Sequence, residues 1–454
     1  MSGRINIEQV IDGSTFGRSQ VLIVALCGMC LVMDGFDVQS MAYVAPALIQ
    51  EWGLSKEVLS PVFGAGLFGM LVGSLAFSTL ADRIGRRPVL IGATMFFSVC
   101  MLLTAFATSI PQLVGFRFAA GLGLGCIMPN AMALAGEYSP RRTRVSVMML
   151  VSCGFTLGGV IGGLISAVLI PAWGWRSVFV VGGAVPLLLG VIMWWRLPES
   201  IQFLAFKKGS QQQMRKNLLL VAPGLQLPDD AQLVLDEPAK TRGGAVASLF
   251  KDGRARVTTL LWIVNFANLL AMYFLSNWLP TVMREAGYST QNAVLAGTTL
   301  WIGGVAGTLA LGRIIDRVGF TPVLTATFVL AIVSTALIGN PLVAASLGAI
   351  FLMIFISGFT IIGGQPALNA LAATYYPTEL RSTGIGWSLG IGRIGSVIGP
   401  VLGGYLMHLQ WPQSQLFIAA AVPALVSLLG IVAIRYSAGF LLRTRQAAGA
   451  ELSH

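Results

Sequence analysis

The chain has 454 residues, of which 55% are hydrophobic and 10% charged, and its net charge is +11. A soluble domain carries about 25% charged residues, so this composition excludes a large soluble core and points to a protein that crosses a membrane many times. The positive charge does not imply a nucleic-acid partner. The basic residues fall in short loops on alternate sides of apolar runs, which is the positive-inside pattern, and no aromatic-interleaved basic patch accompanies them.

Met1 to Gln20 is polar and shows no signal-peptide pattern; the first apolar run is too long for one and lacks a cleavage site, so it is predicted to be retained. Twelve apolar stretches then predict spanning helices near 20–43, 58–80, 89–108, 111–136, 145–170, 177–196, 258–282, 293–314, 322–340, 343–373, 382–408 and 414–437. Six precede a polar stretch and six follow it. The predicted division is an N-terminal half over 1–196, a cytoplasmic linker over 197–257 with short amphipathic helices, and a C-terminal half over 258–454. Five cysteines (Cys27, Cys30, Cys100, Cys126 and Cys153) all fall in apolar runs. The Cys27-x-x-Cys30 pair has no second pair or histidine cluster to complete a metal site, so these side chains read as packing.

In the first span, Asp34-Gly35-Phe36-Asp37 interrupts the apolar run with two carboxylates. Each charge at mid-membrane costs ~2.5–3.5 kcal/mol. Spaced three apart, both lean to one side of the helix, so they line a wet cavity or are protonated. Either state suits movement of protons or substrates. Counting from Arg18 at ~1.5 Å per residue puts Asp34 about 24 Å along the helix, past the midplane. Asp34 is the stronger candidate for proton coupling. Asp37 either gates or tunes Asp34, or is solvated at the outer interface.

Further along, Arg117 and Arg393 are intramembrane guanidiniums that cannot shed their protons and so need an anion, water or an acidic partner. Both are candidate carboxylate clamps; the alternative is pairing with helix ends. Asn265, Asn268 and Asn277 in the seventh span, with Gln365 and Asn369 in the tenth, are polar groups in apolar runs. They hydrogen-bond either a ligand or one another across helices. Phe36, Tyr43, Trp278 and Trp387 are candidate stacking partners for a ring, against belt or core packing. No Walker pattern, zincin pattern or G-x-S-x-G occurs, so neither ATP nor an enzymatic site is expected.

Arg83, Arg86, Arg87, Arg141, Arg142, Arg144, the basic linker, Arg313, Arg317, Arg381, Arg435, Arg443 and Arg445 fall on the side of the N-terminus, against Lys56, Arg176 and Arg284 opposite. Both termini are predicted cytoplasmic. The halves also repeat each other. Gly73-Ser-Leu-Ala…Asp82-Arg83-Ile-Gly85…Pro88-Val-Leu matches Gly307-Thr-Leu-Ala…Asp316-Arg317-Val-Gly319…Pro322-Val-Leu without a gap. Duplication of a six-span unit is one way to build a transporter, with the substrate site expected between the halves. Gly73-x8-Asp82-Arg83-x-Gly85-Arg86-Arg87 reads as a charge–dipole latch that breaks when the halves tilt. Phe320 and Thr321 replace the double arginine in the second copy, which predicts a weaker latch there.

This loop resembles the signature of the major facilitator superfamily. Asp34-Gly35-Phe36-Asp37 is similar to the D-G-x-D of its aromatic acid/proton symporter branch. Arg117-Phe-Ala-Ala-Gly121-Leu-Gly123-Leu-Gly125 resembles the span-four motif. Glu137-Tyr-Ser-Pro140-Arg-Arg-Thr-Arg144, Leu197-Pro198-Glu199-Ser200 and Tyr376-Pro377-Thr378-Glu379-Leu380-Arg381 follow spans four, six and ten as in that superfamily. The resemblance implies an all-α membrane protein of twelve transmembrane helices in two six-helix halves related by a pseudo-two-fold axis. It implies no enzyme and no cofactor, with the proton as coupling ion. The expected role is uptake of a small aromatic carboxylate across a bacterial inner membrane by a monomer embedded in the lipid bilayer. The alternatives are a non-aromatic acid, a lactone or another metabolite, or export. Expected site residues are Asp34 and Asp37 for the proton, and Arg117, Arg393, Gln365, Asn277, Phe36 and Tyr43 for the substrate. The expected latch is Gly73, Asp82, Arg83, Gly85, Arg86, Glu137 and Arg144, with Asp316, Arg317, Glu379 and Arg381.

Overall fold

The computed structural model describes residues 4–14, 16–207, 210–223, 232–234 and 246–437. Among the described residues, twelve helices are long and apolar enough to cross a bilayer. Spans one to six are Arg18–Trp52, Lys56–Phe77, Arg86–Ala105, Ile110–Glu137, Arg141–Trp173 and Arg176–Ala205. Spans seven to twelve are Ala255–Glu285, Thr290–Val318, Phe320–Ile338, Leu347–Tyr375, Thr383–His408 and Gln413–Arg435. The first runs nine residues past its expected end, through Pro46. The tenth starts later than expected because Asn340 caps a separate short helix, Pro341–Ala344.

The duplication in the sequence recurs in the backbone. Gly85 (φ +106°) follows the helix Ser60–Ile84 that carries span two, and Gly319 (φ +90°) follows span eight, each in the left-handed region that glycine tolerates without strain. In the first half a Cβ on Gly73 would lie 2.1 Å from the carbonyl oxygen of Leu122 in span four. In the second, a Cβ on Gly307 would lie 2.1 Å from that of Phe359 in span ten. Each half therefore packs its second helix on its fourth, backbone against backbone, as small residues permit in lipid. The fifth helix packs on the first in the same way, through Gly158 on Val32 and Gly395 on Phe266.

The chain forms two compact units that do not follow the halves strictly. One comprises Met1–Ser40, Phe68–Gly162 and Trp173–Lys240. At its N-terminal end, strand β1 (Arg4–Asn6) pairs in parallel with β2 (Gln232–Val234), Ile5 opposite Leu233. The short helix Ile7–Gly13 follows β1 and is held by Glu8 and Asp12, which pair with Arg141. The other unit comprises Met41–Leu67, Gly163–Ala172 and Thr241–His454. Inside it the ends of spans one, two and five remote from the N-terminus pack on the C-terminal helices. Phe63 meets Trp278 edge-on with centroids 5.1 Å apart, and the Trp278 indole N–H donates to Pro400 O at 2.8 Å. Lys56 reaches Glu285 at 2.9 Å.

Candidate functional site

The first unit contains a buried ion pair in the middle of a bilayer-length helix. Arg117 of span four holds Asp37 of span one in a two-pronged grip: Nη1 donates to Oδ1 at 2.7 Å and Nη2 to Oδ2 at 3.1 Å. Nη2 also donates to the Asp37 carbonyl at 3.1 Å, and Nη1 lies 3.4 Å from Met101 Sδ. Asp37 is 0% exposed and Arg117 4%, which removes solvation at the outer interface as a reading of Asp37. The planar guanidinium fork matches a carboxylate at two points, which a lysine cannot do. Asp34, one turn earlier, is 1% exposed, with Cys30 and Cys126 within electrostatic reach.

Phe36, between the two acids, turns to the other side. It lies over Gly158 and Gly162 of span five, and a Cβ on Gly182 of span six would come within 2.7 Å of its ring. Its burial at 2% is a packing contact that fixes the register of span one.

At the N-terminal end of the same unit, the expected latch residues Arg86 and Glu137 meet in a salt bridge. The Ser200 hydroxyl donates to the other Glu137 oxygen at 2.7 Å. The acid at the centre of the cluster is Glu199, from the Leu197-Pro198-Glu199-Ser200 motif, which is not among the expected latch residues. Glu199 Oε1 accepts from the backbone N–H groups of Arg86 and Arg87 at 3.0 and 3.1 Å, and of Ser200 at 2.7 Å. Glu199 thus caps span three, whose first turn otherwise offers bare donors and the positive end of the helix dipole. Gly85 is required here twice: by its φ, and because a Cβ would fall 2.4 Å from Glu199 Oε2. The Tyr138 hydroxyl donates to Glu199 O at 2.6 Å. Burial, reinforced by Glu137 and Glu199, pushes that phenol well above its usual range, so it remains a donor.

Arg83 is exposed and lines a cavity of about 750 Å³ with Arg86, Gln202 and Lys207. Arg144 packs near Gly136, while Gly73 serves the span two–span four contact. The side chains of Asp82 and Glu379 lie outside the described residues. Replacing Glu199 by Ala is expected to cost about 1–2 kcal/mol through the lost cap and dipole interaction. A lower unfolding midpoint of the detergent-solubilised protein reads this directly, and an unchanged midpoint refutes the cap.

In the second unit the amides of spans seven and ten come together. Asn268 Nδ2 donates to Gln365 Oε1 at 2.7 Å, and Gln365 Nε2 donates to Asn265 Oδ1 at 2.9 Å and Asn369 Oδ1 at 3.3 Å. Asn277 is apart from them, its Nδ2 donating back to Tyr273 O at 2.8 Å. Tyr43 is fully buried, hydrogen-bonded to Thr298 and packed against Gly163 and Gly297. Arg393 is half-buried on span eleven, while Asp316, Arg317 and Arg381 are exposed.

The Major Facilitator Superfamily model matches residues 25–339 and 261–451. Among curated proteins, the 4-hydroxybenzoate transporter PcaK of Pseudomonas putida is 37% identical over 94% of this chain and 95% of its own. The gallate transporter of Pseudomonas putida is 36% identical over 94% of this chain and 95% of its own, and the benzoate transport protein of Acinetobacter baylyi 33% over 98% and 94%. Among solved structures, a bacterial homolog of the human lysosomal transporter Spinster, inward-facing and occupied, superposes with a TM-score of 0.67 at 19% identity. That match covers 95% of this chain and 98% of that one. Twelve bilayer-length helices, a duplicated six-helix unit and these matches make the chain a multi-pass membrane protein that belongs to the Major Facilitator Superfamily, a family of transporters and not of enzymes.

Proposed function

We propose that this protein is a proton-coupled importer of a small aromatic carboxylate, working by alternating access in a bacterial inner membrane with both termini in the cytoplasm. The observation that carries the reading is the buried two-pronged grip of Arg117 on Asp37. While Asp37 is ionised, it occupies the two-point Nη1/Nη2 face of Arg117. A proton on Asp37 abolishes that charge and frees the guanidinium for an incoming carboxylate of the same shape. Substrate and proton therefore enter together, and loss of the proton returns Asp37 to Arg117 and expels the substrate. Asp34, one turn away, relays or shares that proton. One proton with one monoanion carries no net charge, so a pH gradient drives uptake tenfold per unit. The relatives that transport 4-hydroxybenzoate, gallate and benzoate support the ring, and the arginine-rich loops on the N-terminal side support the orientation.

The test is uptake of labelled 4-hydroxybenzoate and benzoate into proteoliposomes with an imposed inward proton gradient. The expected result is transient accumulation above the external concentration that collapses on addition of a protonophore. Entry that never exceeds equilibration, or that ignores the protonophore, refutes proton coupling. No entry of any aromatic acid refutes the substrate class.

A further inference from the structure

The amide cluster of the second unit has a direction. Two backbone carbonyls set it. Asn265 Nδ2 donates to Leu261 O at 3.1 Å, and Asn268 Nδ2 donates to Ile361 O at 3.1 Å. A carbonyl only accepts, so both amide nitrogens are fixed in place. Gln365 lies between the Asn268 nitrogen and the Asn265 oxygen and has one orientation that satisfies both. Asn265 passes the chain on to the Ser388 hydroxyl at 2.8 Å. The side-chain bonds run from Asn268 through Gln365 and Asn265 to Ser388, with a branch from Gln365 to Asn369. The end of the chain is therefore the Asn268 oxygen, which accepts from no described protein group although Asn268 is only 1% exposed.

A buried acceptor without a donor is costly and calls for a group that supplies a hydrogen. The local backbone is irregular at the same place: Ile361 belongs to a π-helical turn, Gly358–Ile362, a feature concentrated at functional sites. The cluster of Asn265, Asn268, Gln365, Asn369 and Ser388 carries no formal charge. A carboxylate brought to Asn268 Oδ1 would set acceptor against acceptor. An ammonium would lack a counter-charge in the cluster. A neutral hydroxyl fits both constraints.

We propose that Asn268 Oδ1, held by Gln365 and Asn265, accepts a hydrogen bond from a ring hydroxyl of the transported acid, so that the protein selects hydroxylated aromatic acids over unsubstituted ones. This rests on the aromatic-acid reading above. A site built to accept a hydroxyl rejects an analogue that lacks it more strongly than an apolar pocket rejects a missing methylene, because the buried acceptor is then left bare.

The experiment measures binding of benzoate, 3-hydroxybenzoate, 4-hydroxybenzoate and 4-methoxybenzoate to the full-length purified protein. Methoxy keeps the oxygen and removes the donor. The expected result is that one hydroxybenzoate binds about tenfold or more tightly than both benzoate and 4-methoxybenzoate. Asn268→Leu should bring the affinities for hydroxylated and unsubstituted acid to within about twofold of each other. Gln365→Met, which removes the group that orients Asn268, should shrink the same ratio and serves if the first variant does not fold. Equal binding of all four acids by the wild type overturns the inference while leaving aromatic-acid transport intact. So does a preference that survives in both variants. Absence of binding by every acid overturns the transport reading itself.

Discussion

Asp37→Asn is expected to abolish accumulation against a gradient while leaving exchange of labelled for unlabelled substrate in place. The amide matches the carboxylate in size but neither takes up nor releases a proton. It no longer competes ionically for the fork of Arg117, so a substrate carboxylate meets an open clamp at every pH. Binding should therefore lose its pH dependence, and the accumulation ratio should fall from tenfold per unit of imposed pH gradient to about one. Counterflow in proteoliposomes separates the two activities. Retained uphill uptake in this variant would remove Asp37 from the coupling step and return the role to Asp34.

Arg117→Leu should destabilise the fold by about 3–5 kcal/mol, the range for stranding one partner of a buried pair. It leaves the Asp37 carboxylate desolvated, and the Asp37 carbonyl also loses the Nη2 donor. Adding Asp37→Asn should recover most of that loss. The deficit of the single variant should shrink as the pH falls, because protonation discharges the stranded group. Unfolding of wild type, both single variants and the double variant in detergent gives the coupling as a cycle. Equal stability of Arg117→Leu and the double variant would show that the pair's charge contributes nothing to the fold.

Much of the fold was legible because bilayer spans are long and apolar, and because the Asp-Arg-x-Gly repeat announced the duplication. The glycines that let span two lie on span four and span eight on span ten were visible as small residues, although which helices they joined was not. The site was legible in kind but not in pairing. Arg117 and Arg393 both read as carboxylate clamps, and the ladder of helix contacts that brings residue 117 to residue 37 has no local signal. Phe36 and Tyr43 looked like ring platforms, yet glycine notches enclose both side chains. Glu199 was missed as a functional acid for a related reason. The start of span three advertised a need for a carboxylate, and several were available across more than a hundred residues. Three-residue strands have no period to read, so the pairing of β1 with β2 left no trace in the hydropathy pattern.

That pairing has a consequence for biogenesis. Ile5 finds its partner, Leu233, only after the first six spans and most of the linker have been synthesised. At about 5–20 residues per second this is a delay of roughly 10–50 s. Throughout it the strand at Arg4–Asn6 has no strand to join. The clasp thus forms only after all six spans of the first half have been synthesised.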